Sequence, residues 1–126
     1  MKPEFVQMIP VLPSADVKRD IAWYRERAGF ECWWHNSDGA FPHYAVLWRE
    51  NLVLHLQWHA DTPDDPLLGG SVVRIEVKNI QPLFEEFVGR GTVTPDKFRE
   101  KTPWGTNEFG FFDPNNNAIF LFEDLE

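Results

Sequence analysis

Leu52-Val53-Leu54-His55-Leu56-Gln57-Trp58 and, near the C-terminus, Ala118-Ile119-Phe120-Leu121-Phe122-Glu123 read as two versions of one strand. Successive strand residues point to opposite faces, so Leu54 and Leu56 share one face while Val53, His55 and Gln57 share the other. In the second run Ile119 and Leu121 oppose Phe120 and Phe122 in the same way. Leu54-His55-Leu56 overlays Ile119-Phe120-Leu121 at a displacement of about 63 to 65 residues, and the surroundings keep the register. Asp16 answers to Asn79, Gly29 to Gly91, and the turn Arg49-Glu50-Asn51 to Pro114-Asn115-Asn116. Several matches at displacements of about 62 to 65 residues indicate an internal duplication.

Working outward, each half reads as strand, helix and three strands. In the first half, Phe5 to Leu12 is a mostly apolar strand, with Pro10 and Pro13 restricting parts of it to an edge or a bend. Ser14 and Asp16 offer helix caps, and Val17, Ile21, Tyr24 and Ala28 form one apolar stripe on a helix that Gly29 ends. Strands follow at Phe30 to His35, Phe41 to Trp48 and Leu52 to Trp58, with a turn at Asn36-Ser37-Asp38-Gly39. The proline-, aspartate- and glycine-rich segment His59 to Gly70 reads as a linker. In the second half, Val72 to Val77 is a strand and Asn79 can cap a helix carrying Ile80, Leu83, Phe84, Phe87 and Val88. Strands are expected near Thr92 to Thr94, at Asn107 to Phe112 and at Ala118 to Glu123. The expected architecture is α+β: one domain over residues 1–126, with unit one at about 5–58, a linker at about 59–70 and unit two at about 71–123.

Composition narrows the function classes. The formal net charge of −8 disfavours nucleic acid and anionic lipid as partners, and serves either solubility or the attraction of cations. Eleven Phe and six Trp exceed what one small core needs, which places some aromatic surface in a groove or an interface. The single cysteine, Cys32, rules out an internal disulfide and reads as a small hydrophobe. No apolar run approaches the roughly 20 residues of a membrane helix, and the N-terminus has no signal-peptide pattern, so a cytoplasmic location is expected. There is no glycine-rich phosphate loop, and His35, His43, His55 and His59 show no spacing that pairs a nucleophile with a base.

The duplicated unit, together with several strings, resembles the glyoxalase/bleomycin-resistance/extradiol dioxygenase (vicinal-oxygen-chelate) superfamily. The strings are Met8-Ile9-Pro10-Val11-Leu12-Pro13-Ser14-Ala15-Asp16, Trp23-Tyr24-Arg25 leading to Gly29-Phe30-Glu31, and Leu54-His55-Leu56. Pro103-Trp104-Gly105 leading to Glu108-Phe109, and Phe112-Asp113-Pro114-Asn115-Asn116-Asn117, are most similar to the bleomycin-resistance branch. Asn116 stands where that family usually has glycine, and Asn is the next best residue for a left-handed turn.

The resemblance implies curved sheets around a cleft, and a homodimer with two clefts at its interface. Metal-dependent relatives bind an ion through His, Gln or Glu on the first and last strands of each unit. Those positions fall here on Ile9 or Pro10, Val72 or Val73, His55 and Phe120. Only His55 supplies a metal ligand where three or more are needed, so neither metal nor other cofactor is expected. If the aliphatic residues cover the helices, His55, Gln57, Phe120 and Phe122 look into the cleft. Trp34, Trp48, Trp58 and Trp104 are further candidates for ligand contact, since Trp33 and Trp34 point opposite ways in a regular strand and the others lie near strand ends. The expected function is metal-free binding and sequestration of a small, cationic aromatic molecule, with no catalytic residue. The alternatives are an enzyme of the superfamily, metal-dependent or acting through His55, and a module that binds a metabolite.

Overall fold

The computed structural model describes residues 1–36, 39, 41–67 and 69–126. Strand β1 (Val11–Ser14) leads into helix α1 (Val17–Ala28) and strands β2 (Glu31–His35), β3 (Tyr44–Arg49) and β4 (Leu52–Trp58). The second half has β5 (Val72–Glu76), α2 (Ile80–Gly89), a short 3-10 turn at Pro95–Lys97, β6 (Thr106–Phe112) and β7 (Ala118–Asp124). Two sheets result, of four strands in the order β1-β4-β3-β2 and three in the order β5-β7-β6. β1 runs parallel to β4 and β5 parallel to β7, so each half repeats one topology.

The expected alternation sets the core. Leu54 and Leu56 of β4, and Ile119 and Leu121 of β7, are buried. They join Tyr24 of α1, Phe84 and Phe87 of α2, and Phe109 and Phe111 of β6 in one apolar cluster shared by both halves. α1 forms where its apolar stripe predicts. Asp16 caps it by accepting from the Arg19 N–H at 3.0 Å, and Gly29 ends it at φ 71°.

Three expectations need correction. Phe5 to Leu12 is not a strand: pairing begins at Val11, and Phe5, Val6 and Met8 stand 102%, 85% and 95% exposed. Among the described residues, none pairs with them in a ladder. Asn79 does not cap α2 with its side chain; it sits at φ 59°, and the Glu123 carboxylate of β7 accepts from the N–H groups of Asn79 (2.9 Å) and Ile80 (3.2 Å). Thr92 to Thr94 is not a strand; the second unit's extra pairing is a single bridge between Arg99 and Glu108. Trp33 and Trp34 stand 76% and 51% exposed on edge strand β2, whose register with β3 shifts between Cys32 and Trp34. Of the expected turn Asn36-Ser37-Asp38-Gly39, Ser37 and Asp38 lie outside the described residues, as does Leu68 of the expected linker.

Polar contacts lock the halves together. The last carbonyls of α1 are satisfied by the second half and by β3: Arg90 donates to Glu26 O (3.0 Å), Thr92 to Arg27 O (2.5 Å) and Arg49 to Ala28 O (2.9 Å). Two of these donors are cations at the negative end of the helix dipole. Glu86 of α2 holds both Arg49 and Arg90 at 2.7 Å. Burial opposes its ionisation, but those two guanidinium groups, Arg49 foremost, keep its carboxyl below the usual range.

Candidate functional site

Each sheet has one face in the shared core, and its other face carries the candidate site residues. On the first sheet the register sets Gln57 beside Tyr44, His55 beside Val46, and Val53 beside Trp48. These residues alternate with buried Ala45, Leu47, Leu54 and Leu56. The Tyr44 hydroxyl lies 2.8 Å from His55 Nδ1, the rings meeting edge to face with centroids 5.3 Å apart. Trp34, on edge strand β2, pairs with Val46. Trp58 does not join this group. It has the parity of Leu54 and Leu56, packs against the core, and contacts Phe41 and His43 at ring-centroid distances of 5.2 and 5.0 Å.

The second sheet presents a denser face. Across its strands, Arg74, Phe120 and Gly110 form one row, and Glu76, Phe122, Glu108 and Arg99 the next. A Cβ on Gly110 would sit 2.6 Å from Phe120 Cδ1, so the ring occupies the space over the glycine. Glu108 is 1% exposed and accepts from Trp104 Nε1 (2.5 Å), Thr106 Oγ1 (2.8 Å) and Arg74 Nη1 (3.1 Å). Burial pushes its carboxyl up, but those three donors outweigh burial and hold it below the usual range. The Arg74 guanidinium carbon lies 4.5 Å from the Phe122 centroid and 5.8 Å from that of Phe120; Arg99 lies 5.0 Å over Trp104.

The structure therefore gathers His55, Gln57 and Trp48, with Trp34 at the sheet edge, on one face, and Phe120, Phe122 and Trp104 on another. Among the described residues no hydrogen bond or ring contact links the two groups. A cavity of about 450 Å³ lies between residues of β4 and β5, bordered by Met8, Pro10, Val53 and Arg74, but none of those candidate residues of the two groups lines it. Tyr44, Arg74, Arg99, Glu108 and Gly110 were not among the sequence candidates. Alternation could have found four of them. Phe109 and Phe111 fix the parity of Glu108 and Gly110, Val73 and Ile75 that of Arg74, and Ala45 and Leu47 that of Tyr44. Arg99 gave no signal, since its pairing is one bridge outside any strand.

The residues at the superfamily's metal positions do not fit a divalent ion. Ile9 or Pro10, Val72 or Val73, and Phe120 offer no side-chain donor, and the Nδ1 of His55 is engaged by Tyr44. Among the described residues, no three His, Cys, Asp or Glu side chains are grouped as an ion requires. No described helix is long and apolar enough to cross a membrane.

Comparison with known proteins agrees with this architecture. The family model described as glyoxalase superfamily protein matches residues 2–126. The bleomycin resistance protein of Geobacillus stearothermophilus is 29% identical over 135 residues, covering 96% of this chain and 98% of that one. The bleomycin resistance determinant encoded on transposon Tn5 superposes with a TM-score of 0.74 at 20% identity, over 95% of this chain and 98% of its own. A bleomycin-binding protein complexed with bleomycin superposes at 0.73 and 21% identity, over 95% and 99%. The repeated strand-helix-strand unit, the left-handed Asn116 at φ 63° in the last hairpin and the match across residues 2–126 agree: this chain belongs to the glyoxalase superfamily and resembles its bleomycin-resistance branch.

Proposed function

We propose that this protein binds and sequesters a small, planar, cationic aromatic molecule in clefts formed between two copies of the chain, without a metal and without breaking a bond. The observation that carries this reading is the pair of aromatic sheet faces left open on the side away from the core, one with Tyr44, Trp48 and Trp34, the other with Phe120, Phe122 and Trp104. The names of the relatives, bleomycin resistance protein and bleomycin-binding protein, support capture of a guest as the activity. Among the described residues, no Lys or Arg of the chain stacks on Tyr44, Trp34 or Trp48, so this is the face assigned to a cationic ring. The net charge of −8 raises the local concentration of such a guest. The protein acts in the cytoplasm, with no nucleic-acid or membrane partner.

Calorimetric titration tests this. A cationic aromatic such as bleomycin is expected to bind more tightly than a neutral ring of matched size, and to weaken with salt as the Debye length contracts from about 10 Å at 0.1 M to about 3 Å at 1 M. Equal affinities unmoved by salt would remove the electrostatic part; no binding of either would leave acid–base chemistry through the Tyr44–His55 contact as the better reading.

A homodimer is part of the proposal. Phe5, Val6 and Met8 project into solvent, where burying each side chain would be worth about 1.5–3 kcal/mol, and a second copy is the partner such an arm would cross to. Light scattering is expected to give twice the 14.7 kDa chain mass, and removal of residues 1–9 to give a single chain. A full-length chain that stays monomeric at micromolar concentration would refute the dimer.

A further inference from the structure

We infer that Arg74 is the specificity-determining residue of the second sheet: it fills the cation seat over Phe122 and Phe120, and so turns that face into a receptor for the carboxylate edge of a guest. The inference rests on the binding function proposed above and adds which part of the guest each sheet takes.

The geometry begins with Glu108. Its two oxygens are already met by Trp104, Thr106 and Arg74, and the group is buried, so it offers an incoming cation no open acceptor. The negative faces of the rings are also taken. Arg74 stacks on Phe122 at 4.5 Å and reaches Phe120 at 5.8 Å, while Arg99 covers Trp104 at 5.0 Å. The Arg99–Glu108 bridge puts both side chains on the same face. Arg74 and Arg99 are thus balanced by Glu108 and by Glu76 of the same row, so this face lacks the excess negative charge of a chain whose net charge is −8. A cationic ring arriving here meets ring faces already occupied by guanidinium groups.

An oxyanion meets guanidinium N–H donors instead. Arg74 spends one Nη on Glu108, and its side chain is 40% exposed. A guanidinium carries five N–H donors in a planar fork that suits a carboxylate, and among the described residues Glu108 is its only acceptor. Phe122 beneath and Glu108 beside hold the fork in one plane, which lowers the entropy lost on binding.

Two probes with related fused rings, 2-naphthoate and N-methylquinolinium, test this on the full-length protein by calorimetry, with Arg74→Gln and the Arg74→Gln/Glu108→Gln double variant. The double variant removes the complication that Arg74→Gln alone leaves Glu108 with an uncompensated charge. In both variants naphthoate is expected to weaken about tenfold, as for loss of a charge-assisted hydrogen bond, and quinolinium to gain about threefold as the ring seat is vacated. If wild-type protein binds quinolinium but neither affinity moves in the variants, the role of Arg74 is refuted while the binding function stands. A quinolinium gain confined to the single variant would assign it to the bared Glu108 charge and overturn the seat. If wild-type protein binds neither probe, the binding function and this inference fall together.

Discussion

Replacing Asp113 by Ala is expected to destabilise the protein by about 3–5 kcal/mol, the range for breaking a buried charged hydrogen-bond network by removing one member. Asp113 is buried at the start of the β6–β7 hairpin, and four donors converge on it. One oxygen accepts from the backbone N–H of Asn115 (2.8 Å) and Asn117 (3.0 Å), the other from Tyr24 Oη (2.7 Å) and Asn117 Nδ2 (2.8 Å). The hairpin in turn holds the first half. Asn115 donates to fully buried Asp20 at 2.6 Å and accepts from the Ala15 N–H at 3.0 Å, and Asn117 donates to Pro13 O at 3.1 Å. Truncating Asp113 therefore strands several buried donors at the seam between the halves. Urea unfolding measures the effect, and a loss under about 1 kcal/mol would mean that water or a rearranged hairpin replaces the carboxylate. Tyr24→Phe removes one of the four contacts and is expected to cost about 1 kcal/mol at neutral pH. Burial, and then the Asp113 charge, hold the Tyr24 phenol well above its usual value. A raised pKa means that stability is intact below about pH 10, where tyrosine ionises in the unfolded chain, and is lost as pH rises beyond it. The Phe variant is expected to lose less stability over that alkaline range.

This seam shows which parts of the molecule the amino-acid sequence discloses. The helix stripe Val17, Ile21, Tyr24, Ala28 and the alternation through Leu54-His55-Leu56 are local periodicities, and they give α1, β4 and the side of the sheet on which His55 lies. Asp113, which binds Tyr24, and Asn115, which binds Asp20, are close to a hundred residues away in the chain, and no periodicity encodes a contact of that separation. Asp20 in particular reads as an exposed first-turn acid, yet it is fully buried because Ser14, Arg19 and Asn115 satisfy it. The candidate site divides on the same line. His55, Gln57, Phe120 and Phe122 follow from parity, and so would Arg74 and Glu108. The stacking of Arg74 on Phe122 depends on the pairing of β5 with β7, two strands that are not consecutive in the chain. Trp58 was assigned by its place near a strand end, although parity alone already set it with Leu54 and Leu56. The N-terminal run fails as a strand for a different reason: its residues are apolar, but among the described residues none pairs with them in a ladder.

Gly110→Val is expected to weaken guest binding about ten- to a hundredfold, equivalent to losing the burial of one large apolar side chain, while leaving the protein folded. Gly110 lies across from Phe120, and any Cβ there would sit 2.6 and 2.7 Å from the ring's Cδ1 and Cε1. Contacts that short cannot persist, so either the backbone or the ring must move. The backbone is held by the β6–β7 ladder on one side and by core residues Phe109 and Phe111 on either side in sequence. The Phe120 ring is on the open face and can rotate about χ1, so it is the part that yields. The overpacking cost is then at the lower end of the usual range of about 1–3 kcal/mol. Guest affinity suffers more, because the displaced ring no longer supports Arg74, whose guanidinium carbon is 5.8 Å from its centroid. A double-mutant cycle separates this account from a general loosening of the sheet. In a Phe120→Ala background there is no ring to displace, so adding Gly110→Val should change affinity by less than about twofold, within the roughly 0.5 kcal/mol of ordinary additivity error. If the valine costs as much affinity without the ring as with it, Gly110 does not act by seating Phe120.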